Sequence, residues 1–121
     1  MIDFDAAALR EFQAVDTDAP VVMMNLLRFV PGGAAKYQEY ADEFSRNGID
    51  ERYGLEIAYV GVGGVPLVAE SGQEWDMVVL VRYPSRRHFV EMVNDPDYQR
   101  FEHLRRSALV EAVLQPTTAM G

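Results

Sequence analysis

The chain has 121 residues, 49% hydrophobic and 25% charged, a balance that suits one soluble domain and leaves no room for a second. Eleven Lys and Arg stand against 19 Asp and Glu, a formal charge of -8, the wrong sign for a chain whose main partner is nucleic acid or an anionic membrane surface. The absence of cysteine removes disulfides, thiolate metal sites and a Cys nucleophile together, and no apolar run approaches the ~18 residues of a membrane span. The acidic opening Met-Ile-Asp-Phe-Asp lacks a basic segment leading into an apolar run, so the expectation is a cytoplasmic chain without a targeting peptide. At this length roughly two-thirds of the unfolded surface can be buried, enough for a core without staples.

Residues 5–15 carry Leu9 and Phe12 three apart, with Asp3 or Asp5 available to cap the first amides; they predict a short helix within an N-terminal extension, 1–19. A polar turn over 16–20 ends in Pro20, and Val-Val-Met-Met-Asn-Leu-Leu-Arg-Phe over 21–29 is an apolar run of strand length. Pro31-Gly32-Gly33 stops it. Tyr37, Tyr40, Ala41 and Phe44 then recur at i, i+3, i+4 and i+7, the stripe of an amphipathic helix running to about residue 53, with Gly48 as a bend and Gly54 as a left-handed cap. A second strand is read over 55–62, fraying at Gly61, Gly63 and Gly64 and resuming over 67–69. Trp-Asp-Met-Val-Val-Leu-Val-Arg-Tyr over 75–83 is the clearest strand. Ser85 caps a helix over 86–93; Asn94-Asp95-Pro96 breaks it, and Pro96 starts a continuation with Tyr98, Phe101, Leu104 and Ala108 inward. A last strand over 110–116 leaves a short tail.

After the first helix the order is β-α-β-β-α-β, which right-handed crossovers fold into a ferredoxin-like four-stranded antiparallel sheet with helices on one face, an α+β domain spanning 1–121. Strands 21–29 and 75–83 are apolar on both faces: Val22, Met24 and Leu26 oppose Val21, Met23 and Leu27, and Val78 and Leu80 oppose Met77, Val79 and Val81. An antiparallel sheet with one wet face alternates apolar and polar, so the second face is covered. The expected cover is a second copy, sheet on sheet, in a homodimer; the alternative is a monomer whose N-terminal helix lies across that face.

The residues that end strand one (Asn-Leu-Leu-Arg-Phe), the Tyr-x-x-Tyr helix, the Trp-Asp opening of strand three and the stretch from Arg-Tyr-Pro-Ser-Arg to Asn-Asp-Pro-Asp-Tyr-Gln resemble the dimeric α+β barrel superfamily. More closely, they resemble its bacterial family of unknown function numbered 1330, from about residue 21 to 116. Tyr53-Gly54 stands where that family more often has Gly-Gly, and the N-terminal helix is additional. The resemblance implies the fold and dimerisation and brings no catalytic residues.

Arg28 and Arg82 sit near the ends of strands one and three at even positions; if both reach one half-buried region they make an anion site for a carboxylate. The competing reading pairs them with Asp76, Glu70 or another carboxylate. Ser85-Arg86-Arg87-His88 places positive charge in the first turn of a helix, where the macrodipole disfavours it, so either a bound anion or pairing with Asp95 or Asp97 is expected. Of the two histidines, His88 is a candidate general base at a pocket mouth, with Asp76 as the other candidate. His103 is a surface residue unless, as in haem-binding relatives within the superfamily, it is an axial ligand. No metal-ligand spacing occurs. Asn25, Tyr37, Tyr40, Trp75 and Asp76 are the remaining polar or amphipathic residues expected around a cavity between sheet and helices; cofactor-free monooxygenases of the superfamily use Asn, Trp and Tyr around a phenolic substrate, and their local spacing motif is not reproduced here. The ligand-binding set is thus Asn25, Arg28, Tyr40, Trp75 and Arg82. The first functional reading is a homodimer holding a small hydrophobic or anionic organic molecule, an organic acid or a phenol, without metal or cofactor. The others are a cofactor-independent monooxygenase, isomerase or decarboxylase acting on a small aromatic or carboxylic acid, and a structural or partner-binding dimer.

Overall fold

Proline and glycine set the limits of the first strand, and the sheet grows outward from it. A computed structural model describes residues 2–15 and 18–120; residues 16 and 17 of the expected polar turn lie outside the described residues. The elements are α1 (Ala6–Ala14), β1 (Val21–Phe29), α2 (Gly33–Arg46), α3 (Ile49–Tyr53), β2 (Glu56–Val62), β3 (Met77–Tyr83), α4 (Arg86–Val93), α5 (Pro96–Gln99), α6 (Glu102–Ala108) and β4 (Leu109–Thr117). The strands lie in the order β2-β3-β1-β4, each antiparallel to its neighbours. This is the ferredoxin-like α+β arrangement that the sequence pattern predicts.

Helix boundaries follow local chemistry. Asp5 caps α1 by accepting from the Ala7 and Ala8 amides, and Ser85 caps α4 by accepting from His88. The helix predicted to run to residue 53 breaks at Asn47-Gly48, where Gly48 takes φ 68°, a left-handed conformation that glycine adopts without steric cost. Asp95 then caps the single turn of α5, with Pro96 at its first position. Gly33 opens α2 against the Ala108 carbonyl, which a Cβ would approach to 2.2 Å, so only glycine lets α2 lie this close to the end of α6.

One expectation about the second strand fails. The resumption over 67–69 does not form: β2 ends at Val62 and residues 63–76 make an arm in which Leu67 is 98% exposed. The arm is pinched at its base, where the Gly63 amide donates to the Asp76 carbonyl at 2.9 Å. β2 also carries a bulge, since Ile57 faces Val81 while Tyr59 faces Leu80.

The helices cover one face of the sheet. On it lie Val21, Met23, Asn25 and Leu27 of β1 and Val79, Val81 and Tyr83 of β3, all buried. α1 joins the helical side, with Phe12 edge-on to Phe89 of α4 at 5.7 Å. That placement overturns the monomer alternative in which α1 crosses the opposite face, because the aromatic stripe of α1 is spent on α4.

Candidate functional site

Between the inner face of the sheet and the helices lies a cavity of about 1060 Å³. Its floor is Met23, Asn25, Val79 and Val81 and its walls include Tyr37, Tyr40, Phe44 and Met92, with Ile2, Phe4 and Leu9 at the N-terminal side. The lining is more apolar than polar, and five acids and three arginines stand along it, a composition that a small-molecule site with a charged side can have.

Four tyrosines turn toward this space. The Tyr40 and Tyr98 hydroxyls share a hydrogen bond of 2.9 Å, and Tyr37 and Tyr83 complete the set. Burial raises all four phenols, Tyr37 to about 12; the Arg105 charge acts on each in the opposite direction and is outweighed. At neutral pH these side chains are therefore neutral hydrogen-bond donors, and none is a ready base. Asn25 interrupts the apolar floor; its amide nitrogen donates to the Val79 carbonyl at 3.3 Å across the β1–β3 pair, which satisfies a polar group that burial would otherwise penalise.

Of the residues singled out from sequence, Asn25, Tyr37 and Tyr40 meet in the cavity. Arg28, Trp75 and Arg82 do not. Arg28 and Arg82 share the outer face of the sheet with Met24 and Leu26, and the register puts Arg82 opposite Val22 and Arg28 opposite Glu111. Their rows are six residues apart along β1, about 20 Å at strand rise, so the joint anion site does not form. Arg28 lies over the Trp75 ring at 4.9 Å and donates to Glu111 at 2.7 Å and to the Glu74 carbonyl at 2.6 Å; it fastens the base of the arm. Asp76 accepts from the Phe29 amide at 2.9 Å, joining β3 to the end of β1. His88 is half-buried on α4 with Nδ1 2.6 Å from Ser85 Oγ. Neither Asp76 nor His88 lines the cavity. His103 is exposed on α6.

The positive turn of α4 is resolved differently from either expectation. Arg86 lies over the Phe12 ring at 4.6 Å and Arg87 reaches Asp18 at 3.1 Å. Asp95 and Asp97 instead hold Arg52, at 2.6 and 3.0 Å. Tyr53, the Asp97 amide and Arg52 all donate to Asp95 and hold its carboxyl down at about 2. Among the described residues no group of three or more His, Asp or Glu is placed to hold a metal ion, and no helix is long and apolar enough to cross a membrane.

Among the cavity residues that the sequence did not single out, Arg105 stands apart. Arg105 is half-buried and lines the cavity from α6. It falls four residues after Phe101 and three before Ala108, on the stripe begun by Tyr98. That spacing is the signal in the sequence, and apolar Leu104 beside it draws the expected stripe away from Arg105.

Residues 32–115 match the model of the family described as Domain of unknown function (DUF1330). The chain belongs to that family. A protein of unknown function from Rhodopseudomonas palustris has a similar crystal structure, with TM-score 0.87 and 28% identity over 99% of this chain and 97% of that one. Hydroxynitrile lyase from Passiflora edulis is similar at TM-score 0.63 and 11% identity, covering 86% of this chain and 96% of that one. A putative antibiotic biosynthesis monooxygenase from Bacteroides thetaiotaomicron follows at TM-score 0.58 and 15% identity, covering 84% and 90%. At these identities the last two share the fold alone. No curated protein matches the chain.

Proposed function

We propose that this DUF1330 protein is a homodimer that binds a small, largely apolar organic molecule in the cavity between sheet and helices of each subunit. The observation that carries the reading is the cavity itself: about 1060 Å³ walled by Met23, Val79, Val81, Phe44 and Met92, with tyrosine hydroxyls and charged side chains as its polar points. Domain cores are close-packed, with few voids larger than a water molecule; an opening of this size lined by apolar groups suits an organic occupant.

The dimer is supported by the outer face. Val22, Met24, Leu26, Val78, Leu80 and Val113 are half-buried there, with every helix on the other side. A second copy laid on this face would remove the patch from water, as twofold association commonly does. The exposed Val65, Leu67 and Val68 of the arm add apolar surface for the same partner. Arg28, Trp75 and Arg82 then belong to the subunit contact.

Cofactor-independent turnover of a small aromatic or carboxylic acid needs a proton-transfer group beside the ligand. The two candidates read from the sequence, His88 and Asp76, are engaged with Ser85 and Phe29 outside the cavity. Binding is the reading that the cavity itself supports.

Native mass spectrometry of gently purified protein tests both parts. A species at twice 13.6 kDa with a defined excess mass, lost on activation, is the expected result. A monomer would refute the sheet-on-sheet dimer, and a dimer that neither retains a small molecule nor takes up an apolar dye would refute the binding reading.

A further inference from the structure

The cavity has a charged end, and we infer that this end takes the carboxylate of an apolar monocarboxylic acid, with Arg105 as the residue that binds it; the inference rests on the cavity reading above. Three arginines reach the cavity, and their circumstances differ. Arg106 stands between Asp3 and Glu102, 3.1 Å from each. Arg86 is spread on the Phe12 ring and donates to the Phe12 carbonyl at 3.3 Å, on the flank formed by α1. Arg105 is half-buried, and its hydrogen bond among the described residues goes to the Ile2 carbonyl at 3.2 Å, a neutral acceptor.

A guanidinium offers five N–H donors in a planar fork, and removing its charge from water is costly without an opposing charge. Of the acids that line the cavity, Asp3 and Glu102 pair with Arg106, and among the described residues no ion pair joins Arg105 to any acid. A bidentate carboxylate is the ligand group whose geometry answers the fork. Beside it the Tyr37 hydroxyl makes no hydrogen bond to the described residues and, being a neutral phenol, is a donor for the same anion. Met23, Val79, Val81 and Met92 of the wall offer apolar contact, which fits a hydrocarbon or aromatic tail. The chain's formal charge of -8 repels acids at long range, so retention of an acid depends on this local cation.

Isothermal titration calorimetry with decanoate and with decanol decides the matter, because the two share a tail and differ in the head. The expected result is that the unaltered protein binds decanoate at least about tenfold more tightly than decanol. Arg105→Gln is expected to remove that preference while keeping decanol affinity within about twofold, and Tyr37→Phe to weaken decanoate about threefold with decanol unchanged. Equal binding of the two by the unaltered protein overturns the inference while leaving the cavity reading standing. So does an Arg105→Gln protein that binds decanol normally and loses nothing toward decanoate. If neither compound binds, the cavity reading falls and this inference falls with it. Should Arg105→Gln not fold, the preference of the unaltered protein and the effect of Tyr37→Phe decide the question without it.

Discussion

Along β1 the odd residues Val21, Met23, Asn25 and Leu27 are buried under the helices, while the even residues Val22, Met24, Leu26 and Arg28 are half-exposed on the other side. Both sets are mostly apolar, yet they meet different surroundings. The inner set faces a layer made by the same chain, closed by aromatic contacts such as Tyr83 on Phe89 at 5.1 Å and Phe44 on Phe101 at 5.4 Å. Apart from Arg28, which lies over Trp75, the outer set meets no helical layer among the described residues. Apolar character at alternating positions thus tells that both faces are to be covered, and it does not tell by whom. The inner face is a matter of folding stability, and the outer one, in the dimer proposed above, of association.

The sharpest way to break that division is to damage each face separately. Leu27 is fully buried, and Leu27→Ala is expected to cost about 2–5 kcal/mol through lost burial and the cavity left behind, read as a large drop in the urea midpoint. A loss below about 1 kcal/mol would mean that the inner face is not the core described here. Leu80→Asp, on the outer face opposite Met24, is expected to leave the circular dichroism spectrum intact and to shift sedimentation from dimer to monomer. Unfolding of this variant instead would show that the outer face belongs to the fold.

A gentler contrast uses pH. Burial raises Tyr37, Tyr40, Tyr83 and Tyr98, all on the inner side. A phenol whose folded value lies above its unfolded value near 10 favours the folded state less as pH climbs past 10. Each group that stays protected removes about 1.4 kcal/mol of stability per pH unit there. Unfolding free energy is therefore expected to fall steeply between about pH 10 and 12, and Tyr98→Phe to make the slope shallower. A stability profile flat from pH 9 to 11 would contradict the burial of these hydroxyls.

Much of the scaffold was legible because its signals are local. Pro20 and Pro31 bracket β1, Ser85 caps α4, and Asp95-Pro96 restarts the broken helix, each acting within a few residues of itself. The site was less legible because it depends on which sheet face receives the helices. Parity correctly grouped Arg28 and Arg82 with Met24 and Leu26, but both faces of β1 and β3 are apolar, and parity carries no label for inside. Asn25 was found because an amide in an apolar run needs partners wherever it points. Arg105 was missed because a cation in the last turn of a helix has a sufficient local explanation in the helix dipole, which hides its place on the stripe of Tyr98, Phe101 and Ala108. The arm over 63–76 reads partly as strand because Val65, Leu67 and Val68 have strand composition; in the structure they join no strand of the sheet and stand exposed.

The bulge in β2 has a bearing on which lengths of this chain can exist. Ile57 pairs with Val81 on the inner face and Tyr59 with Leu80 on the outer, so Ala58 is the surplus residue between two positions already on opposite sides. Losing one residue inside a strand ordinarily turns every following side chain to the wrong face. Loss of Ala58 would do the reverse: Tyr59, Val60 and Val62 would keep their present partners and their present sides, and only the local twist that a bulge adds would relax. This edge of the sheet can accordingly absorb a one-codon deletion that β1, with Leu27 under the helices, cannot.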